Sequence, residues 1–414
     1  METFAGNLFP ITYWYGPPAS FTTGPVYRQV REAGFSIAGP MGGGFHSYEE
    51  NLKFLDTCRQ EGLLACVQDQ RMTCCLAGEK GWEQVLAEIV RDYQGHPALH
   101  SYYVTDEPNA QLFPQLAAIV KMLRQLDPSH PAYINLFPNY ASPEQLGSKT
   151  YYDHVKDYIE TVKPQFVSYD HYHFIYRQNP QAAPSVAESG DAREDAIRRA
   201  ALLCEDRGGF FDNLEVVRSL CLEYGLPFMV IVLLIEHGIY RNLTEAEIRF
   251  EAFQCIAYGA SYLSYFTYWT VIGEGDEFWH WKNAMIDKDG TELPHYGQVQ
   301  RVNRDLLAAA CFLKGKASRK VMHFGSEAEQ VTAFAPDSLI TGFSGGRVTI
   351  GEFEDGYIVL ANKDILNGTD ITISLAAERV YLLDRASGAL CEITNAQKSY
   401  ALHLEPGDMA LLKA

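Results

Sequence analysis

The sequence predicts a (β/α)8 barrel followed by a small antiparallel β-sandwich. Three observations carry this prediction. Eight short apolar runs alternate with amphipathic segments, the runs are apolar without interruption, and the helical period stops near residue 316. Continuous apolar strands separated by helices imply a parallel sheet covered on its outer face, and eight such units close a barrel. The rival, an open doubly wound sheet, would place a glycine-rich turn after its first strand. Here Ile11-Thr12-Tyr13-Trp14-Tyr15 runs into Gly16-Pro17-Pro18, and polar residues cluster after many strands rather than one.

The elements follow in order. A short helix at 26–33 leads to strand two at 35–38, closed by Gly39-Pro40. Helix two at 48–61 carries Tyr48, Leu52 and Leu55 on one face, the spacing of an amphipathic helix. Strand three (63–68) and helix three (82–93) precede strand four (102–105), which runs into Asp106-Glu107-Pro108. Helix four (114–126) stops at Asp127-Pro128, because proline cannot continue a helix. Strand five (132–136) and helix five (152–162) lead to strand six (166–169), which ends in Asp170-His171-Tyr172-His173. A polar stretch at 178–209 reads as a lid, a contact with a second copy in a homo-oligomer, or disorder. Helix six (214–224), strand seven (228–235) with Glu236-His237-Gly238 at its end, helix seven (244–258), strand eight (262–266, ending near Trp269) and helix eight (299–313) complete the set. Beyond it, short strand-like runs are separated by Gly345-Gly346, Asp355-Gly356 and Asn367-Gly368, which are turn signals. The expected domains are a barrel at 1–316 and a β-sandwich at 317–414.

Composition narrows the function. A net charge of −18 over 414 residues argues against nucleic acid or an anionic membrane as partner, and a neutral substrate fits better. No run reaches membrane-span length, and the start, Met1-Glu2-Thr3-Phe4, lacks a signal-peptide pattern. The expectation is therefore a cytoplasmic protein, or a secreted one whose leader has been removed. Nine cysteines without framework spacing read as free thiols in a reducing compartment. Aromatic residues make up 13% of the chain, which suits sugar stacking as well as core packing.

In such barrels the working residues sit at the C-terminal ends of the strands. That rule selects Trp14, Tyr15, Asp69, Asp106, Glu107, Asn135, Asp170, His171, Tyr172, His173, Glu236, His237 and Trp269, with Gln68 beside them. Carboxylates, amides and aromatics are what is needed to hold a sugar and cleave a glycosidic bond. No lysine is among them, which argues against Schiff-base chemistry. Glu107 at the end of strand four, fixed by Pro108, is placed to carry a raised pKa and act as general acid. The alternative is an N-cap or loop salt bridge. His171 and His173 form a metal-like pair, with Asp69 or Asp170 as further ligands; sugar contact or loop packing is the reading preferred, and neither metal nor organic cofactor is expected.

With these residues in place, the chain resembles clan A of the glycoside hydrolases, which carry a glutamate acid/base in Asn-Glu-Pro at strand four and a glutamate nucleophile at strand seven. The resemblance implies Glu107 and Glu236 for these roles in a retaining hydrolase acting on a carbohydrate. It also implies Tyr172 as the tyrosine that orients the nucleophile and Trp269 as the sugar platform, joined by Trp14. Asp69, Asp106, Asn135, Asp170, His171 and His237 would contact substrate. On strand seven, alternation puts Val230, Val232, Leu234 and Glu236 on one face, which must be the barrel interior. The clan's asparagine is Asp106 here, and an ionised carboxylate cannot donate a hydrogen bond. Adjacent Asp-Glu is similar to hexosaminidases that use the substrate's acetamido group, a route in which Asp106 orients that group and Glu236 only binds. A non-catalytic carbohydrate-binding barrel is the reading from another class.

Overall fold

The computed structural model describes residues 9–177, 203–273, 275–325 and 331–414. Eight parallel strands form the barrel: β1 Ile11–Tyr13, β2 Ile37–Ala38, β3 Leu64–Val67, β4 Leu99–Asp106, β5 Ala132–Leu136, β6 Val167–Asp170, β7 Phe228–Leu233 and β8 Tyr262–Phe266. From β2 to β8 each is paired to its neighbour in sequence, and β8 returns to β1 with Thr12 opposite Ser264. The seam between β1 and β2 closes through single hydrogen bonds. Ser36 N–H donates to the Ile11 carbonyl at 3.1 Å and Gly16 N–H to that of Pro40 at 2.9 Å. Glycine is required at this seam, since a Cβ on Gly39 would stand 1.7 Å from the Tyr13 carbonyl oxygen.

Two apolar layers result from the period-two alternation of the strands. Cys66, Tyr103, Tyr133, Phe166, Met229 and Tyr262 fill the barrel interior. Ala65, Val67, Tyr102, Val104, Ile134, Val230, Val232 and Leu263 pack outward against the helices. The face of strand seven that carries Val230 and Val232 is thus the helix-facing one, the reverse of the sequence expectation. Regular pairing also ends at Leu233. Leu234 N–H (2.7 Å) and Ile235 N–H (3.0 Å) both donate to the Phe266 carbonyl, an irregularity at the mouth.

Among the elements not anticipated are short helices at Met72–Ala77, Pro143–Leu146 and Asp276–Trp279 and an antiparallel pair, Phe174–Tyr176 with Cys204–Asp206. Most of the polar stretch expected after strand six, 178–202, lies outside the described residues. The last helix begins at Pro294 rather than near 299, because Pro294 takes its first position, where a missing N–H does no harm.

After Leu313 the chain forms a six-stranded and a three-stranded antiparallel sheet. Their facing sides, among them Met322, Ile350, Leu360, Ile371, Ile373 and Tyr400, make a second core. The helix Glu245–Ala257 lies between this unit and β7, buried on almost every side. Gly351 and Gly407 let sheet backbone approach it, since a Cβ on either would meet a helix carbonyl oxygen, of Ala257 or Ala246, at 2.1 or 2.0 Å.

Candidate active site

The C-terminal mouth of the barrel gathers three carboxyl groups on β4 and β6. A register shift between Tyr103 and Thr105 sets Asp106 opposite Asn135 on β5. Tyr103 and Tyr133 both point inward, and the irregularity returns Asp106 to the inward side together with Asn135. Bulges of this kind re-aim side chains at barrel rims. Asn135 is 2% exposed and donates through Nδ2 to Asp106 Oδ1 at 3.1 Å and Asp170 Oδ1 at 2.9 Å. Its own Oδ1 accepts from Ser168 Oγ at 2.8 Å. One amide therefore ties three strands into a fixed acidic cluster.

Glu107 follows with φ 44°, a left-handed conformation that is uncommon away from glycine. It is held there by its N–H, which donates to the Asn135 carbonyl at 2.8 Å. Burial, and then the charge of Asp106, raise the Glu107 pKa to about 7, against a hydrogen bond with Asp170 that lowers it. Burial raises Asp106 to about 6, with Asn135 opposing. Asp106 is exposed to solvent all the same. Asp170 is raised well above the usual carboxylate range by burial and by the charges of Glu107 and Asp106. Crowded carboxyls cannot all ionise together, and the cluster retains a proton near neutrality.

An aromatic wall stands beside it. The Tyr172 ring lies on Phe266 at 5.2 Å and 27° and edge-on to Tyr240 at 5.3 Å. Its phenol is raised by burial and by its neighbours, Asp170 foremost. His237 stacks on Trp281 at 4.4 Å and 26°, with Phe266 and Trp279 around it. Trp14 meets Tyr103 and Tyr133 edge-on at 5.4 and 5.6 Å.

Other residues selected from the sequence are engaged by partners of their own. Glu236 accepts from Tyr176 Oη at 2.9 Å and Asn283 Nδ2 at 2.7 Å, and pairs with Lys282 Nζ at 3.1 Å. None of these partners is shared with Glu107. The tyrosine that reaches Glu236 is Tyr176, while Tyr172 belongs to the carboxyl cluster. Trp269 is 1% exposed and packs on Phe21 at 4.6 Å, so it presents no face to the mouth. Tyr15 exchanges hydrogen bonds between its hydroxyl and the Ile272 backbone at 3.2 and 3.3 Å. His171 is fully buried, with Nδ1 on Asn213 Oδ1 at 3.1 Å. His173 donates from Nδ1 to the Arg207 carbonyl at 2.8 Å. Among the described residues no three His, Cys, Asp or Glu side chains are grouped to hold a metal ion.

Asp69 is 2% exposed and its oxygens are occupied. They accept from Arg71 N, Nε and Nη2 at 2.8, 2.9 and 2.7 Å and from Tyr93 Oη at 2.6 Å. Burial alone would raise its pKa, but the hydrogen bonds of Arg71 and Tyr93 outweigh that and lower it. Asp69→Asn should therefore destabilise the fold by roughly 2–3 kcal/mol at pH 7, below the usual cost of breaking a buried pair because Arg71 is partly exposed. A depressed carboxylate pKa gives stability that is complete above the ordinary value, 3.8, and lost as pH falls through the lower folded value. Denaturant titrations at pH 7 and pH 3 should show the gap between variant and parent narrowing in acid.

Phe266, Trp279 and Trp281 were not selected from the sequence. The run Phe278-Trp279-His280-Trp281 was the available signal for the last two.

No protein-family model matches the chain, and no curated protein is similar to it in sequence. Solved structures are similar in three dimensions. One is a family 39 glycoside hydrolase from the gut symbiont Bacteroides cellulosilyticus WH2, at TM-score 0.52 and 13% identity over 98% of this chain and 81% of that one. A family 5 glycoside hydrolase from Bacteroides vulgatus ATCC 8482 gives 0.60 and 9% over 98% and 89%. A third, described as a glycoside hydrolase, gives 0.57 and 10% over 97% and 91%. At these identities the likeness establishes a common fold. Among the described residues no helix is long and apolar enough to cross a membrane.

Proposed function

We propose that the protein is a glycoside hydrolase in which Glu107 is the general acid and base. The observation that carries this reading is Glu107 itself, fixed in the barrel mouth with its pKa raised to about 7 beside Asp106 and Asp170. A carboxyl of that pKa holds a proton for a leaving oxygen at neutral pH and accepts one from water in the next step. Likeness to solved glycoside hydrolases adds to this as analogy of fold.

Two routes complete a retaining reaction. A protein nucleophile requires its carboxyl about 5–5.5 Å from the acid, and Glu236 was the candidate. The groups that act on the Glu107 pKa are Asp106 and Asp170, and Glu236 is engaged by Tyr176, Lys282 and Asn283. This distribution favours the second route, on a 2-acetamido sugar. The acetamido oxygen attacks the anomeric carbon as the glycosidic bond breaks, and Glu107 gives its proton to the leaving oxygen. Asp106 holds the acetamido N–H while positive charge develops there. Water then adds to the same carbon, losing a proton to Glu107, and the acetamido group is released.

A panel of aryl glycosides, 2-acetamido and 2-hydroxy sugars in both anomers, tests the proposal. Release of phenol from one member, lost in Glu107→Gln at neutral pH when the leaving group is poor, is the expected result. A panel without any turnover, together with sugar binding in calorimetry, would leave the non-catalytic carbohydrate-binding reading.

A further inference from the structure

Arg207 stands at the rim of the mouth with its guanidinium uncommitted. Its main chain is fixed in both directions by His173, to which its N–H donates at 2.7 Å and from whose ring its carbonyl accepts at 2.8 Å. His173 is itself 5% exposed and stacked on Phe250 at 5.4 Å and 10°. The guanidinium lies 3.9 Å over the ring of Tyr140 and 5.2 Å from that of Tyr240. Two rings clamp it, and cation–π contact of this kind orients a guanidinium without using its N–H groups. Among the described residues it has neither a hydrogen-bond nor an ion-pair partner.

In this chain 52 acidic residues face 34 basic ones, so carboxylates that could pair with an arginine are plentiful. Arg28, Arg71, Arg301 and Arg385 all hold carboxylates at 3.1 Å or less. The acidic neighbours of Arg207 are engaged elsewhere, Asp206 with Arg241 at 3.8 Å and Asp212 with Asn139 at 3.2 Å. Arg207 is also only one aromatic layer from the chemistry. Tyr140 Oη accepts the Tyr172 N–H at 3.5 Å, Tyr240 meets Tyr172 edge-on, and Tyr172 adjoins the carboxyl cluster.

We infer that Arg207 anchors an oxyanion on the glycan, a carboxylate or a sulfate ester, on the sugar that neighbours the bond to be cleaved. The inference rests on the glycosidase reading and narrows its substrate class to acidic glycans. A planar fork held in place with its edges free matches two oxygens of such a group, and its ordering cost is met before the ligand arrives. The mouth tolerates an anion because the carboxyl cluster retains protons. An overall charge of −18 would otherwise repel an acidic chain, and Arg207 supplies a local exception.

Calorimetric titration of the full-length Glu107→Gln protein tests this. The probes are methyl glucuronide and galacturonide, the 6-sulfates of methyl glucoside and galactoside, and the parent neutral glycosides, in both anomers. At least one anionic probe should bind roughly ten- to a hundredfold tighter than its neutral parent, the range expected for hydrogen bonds to a charged group. Preference for the uronides identifies a carboxylate, and preference for the sulfates a sulfate ester. Arg207→Gln should remove the preference and leave neutral binding intact, and Arg207→Lys should restore part of it. Equal binding of anionic and neutral probes, or a preference that survives Arg207→Gln, overturns the inference while the glycosidase reading stands on the aryl glycoside assay. Absence of binding across the panel also overturns it. Unchanged thermal unfolding of Arg207→Gln checks that the variant is folded.

Discussion

Glu107→Gln should lower turnover on glycosides with poor leaving groups by about a hundred- to ten-thousandfold, the usual contribution of a positioned acid. Activated aryl glycosides should suffer far less, because their leaving groups depart without protonation. The sign of the pH effect follows from the role. Glu107 acts protonated in the first step, so activity falls as pH rises past about 7. If Asp106 must be ionised, activity also falls below about 6. The profile of kcat/KM should be a narrow bell whose limbs belong to the coupled cluster rather than to single residues. In Glu107→Gln the alkaline limb should disappear. An unchanged alkaline limb would assign the proton to another group.

Asp106→Asn and Glu236→Gly should part company just as sharply. With an acetamido nucleophile, Asp106→Asn should cost about a hundred- to a thousandfold in kcat, the scale seen when one oriented group facing developing charge is removed. Glu236→Gly should stay within about tenfold of the parent, less than a lost catalytic group costs, and azide should give no inverted glycosyl azide. The opposite pattern, a dead Glu236→Gly rescued by azide with inversion beside a mild Asp106→Asn, would make Glu236 the nucleophile. Stereochemistry of the azide product, read by NMR, separates the two where rates alone would not.

The barrel was legible because its signal is redundant. Strands β5 and β8 begin and end where the apolar runs do, and each helix needs only its buried stripe to be recognised. Rim residues carry no such redundancy. Alternation was read as putting Val230 and Val232 on the interior face, yet an apolar run buried on both faces does not say which face is which, and the irregularity at Leu234 and Ile235 ends the alternation before Glu236. Trp269 was selected for its type and its place near a strand end, but β8 stops at Phe266 and the chain has turned under by residue 269. The ring left at the mouth is Phe266, which reads as core in a sequence. Asp69 is neutralised by Arg71, two residues along, and His171 and His173 are engaged by an asparagine and a backbone carbonyl. The histidine pairings depend on tertiary contact and leave no pattern in the chain, and a local Asp-x-Arg does not by itself show that the pair closes. Asp106 and Glu107 were legible because two adjacent carboxyls before a proline, at a strand end, have few uses in a core.

The helix Glu245–Ala257 gives the two sheets a common fate. It is the outer cover of β7 and, through Gly351, Gly407 and the hydrogen bonds of Gln254 to the carbonyls of Ala361 and Asn362 at 3.5 and 3.3 Å, also the floor of the sandwich. A helix buried on nearly every side has little face to offer water. Removing the sandwich would strand that surface on the barrel, and loosening the barrel would uncover the sandwich. The chain should then melt as one calorimetric unit, with no temperature at which the catalytic half survives alone. The C-terminal sheets are, in this sense, a ninth wall of the barrel rather than a passenger module, and cutting the gene between them would yield two insoluble pieces.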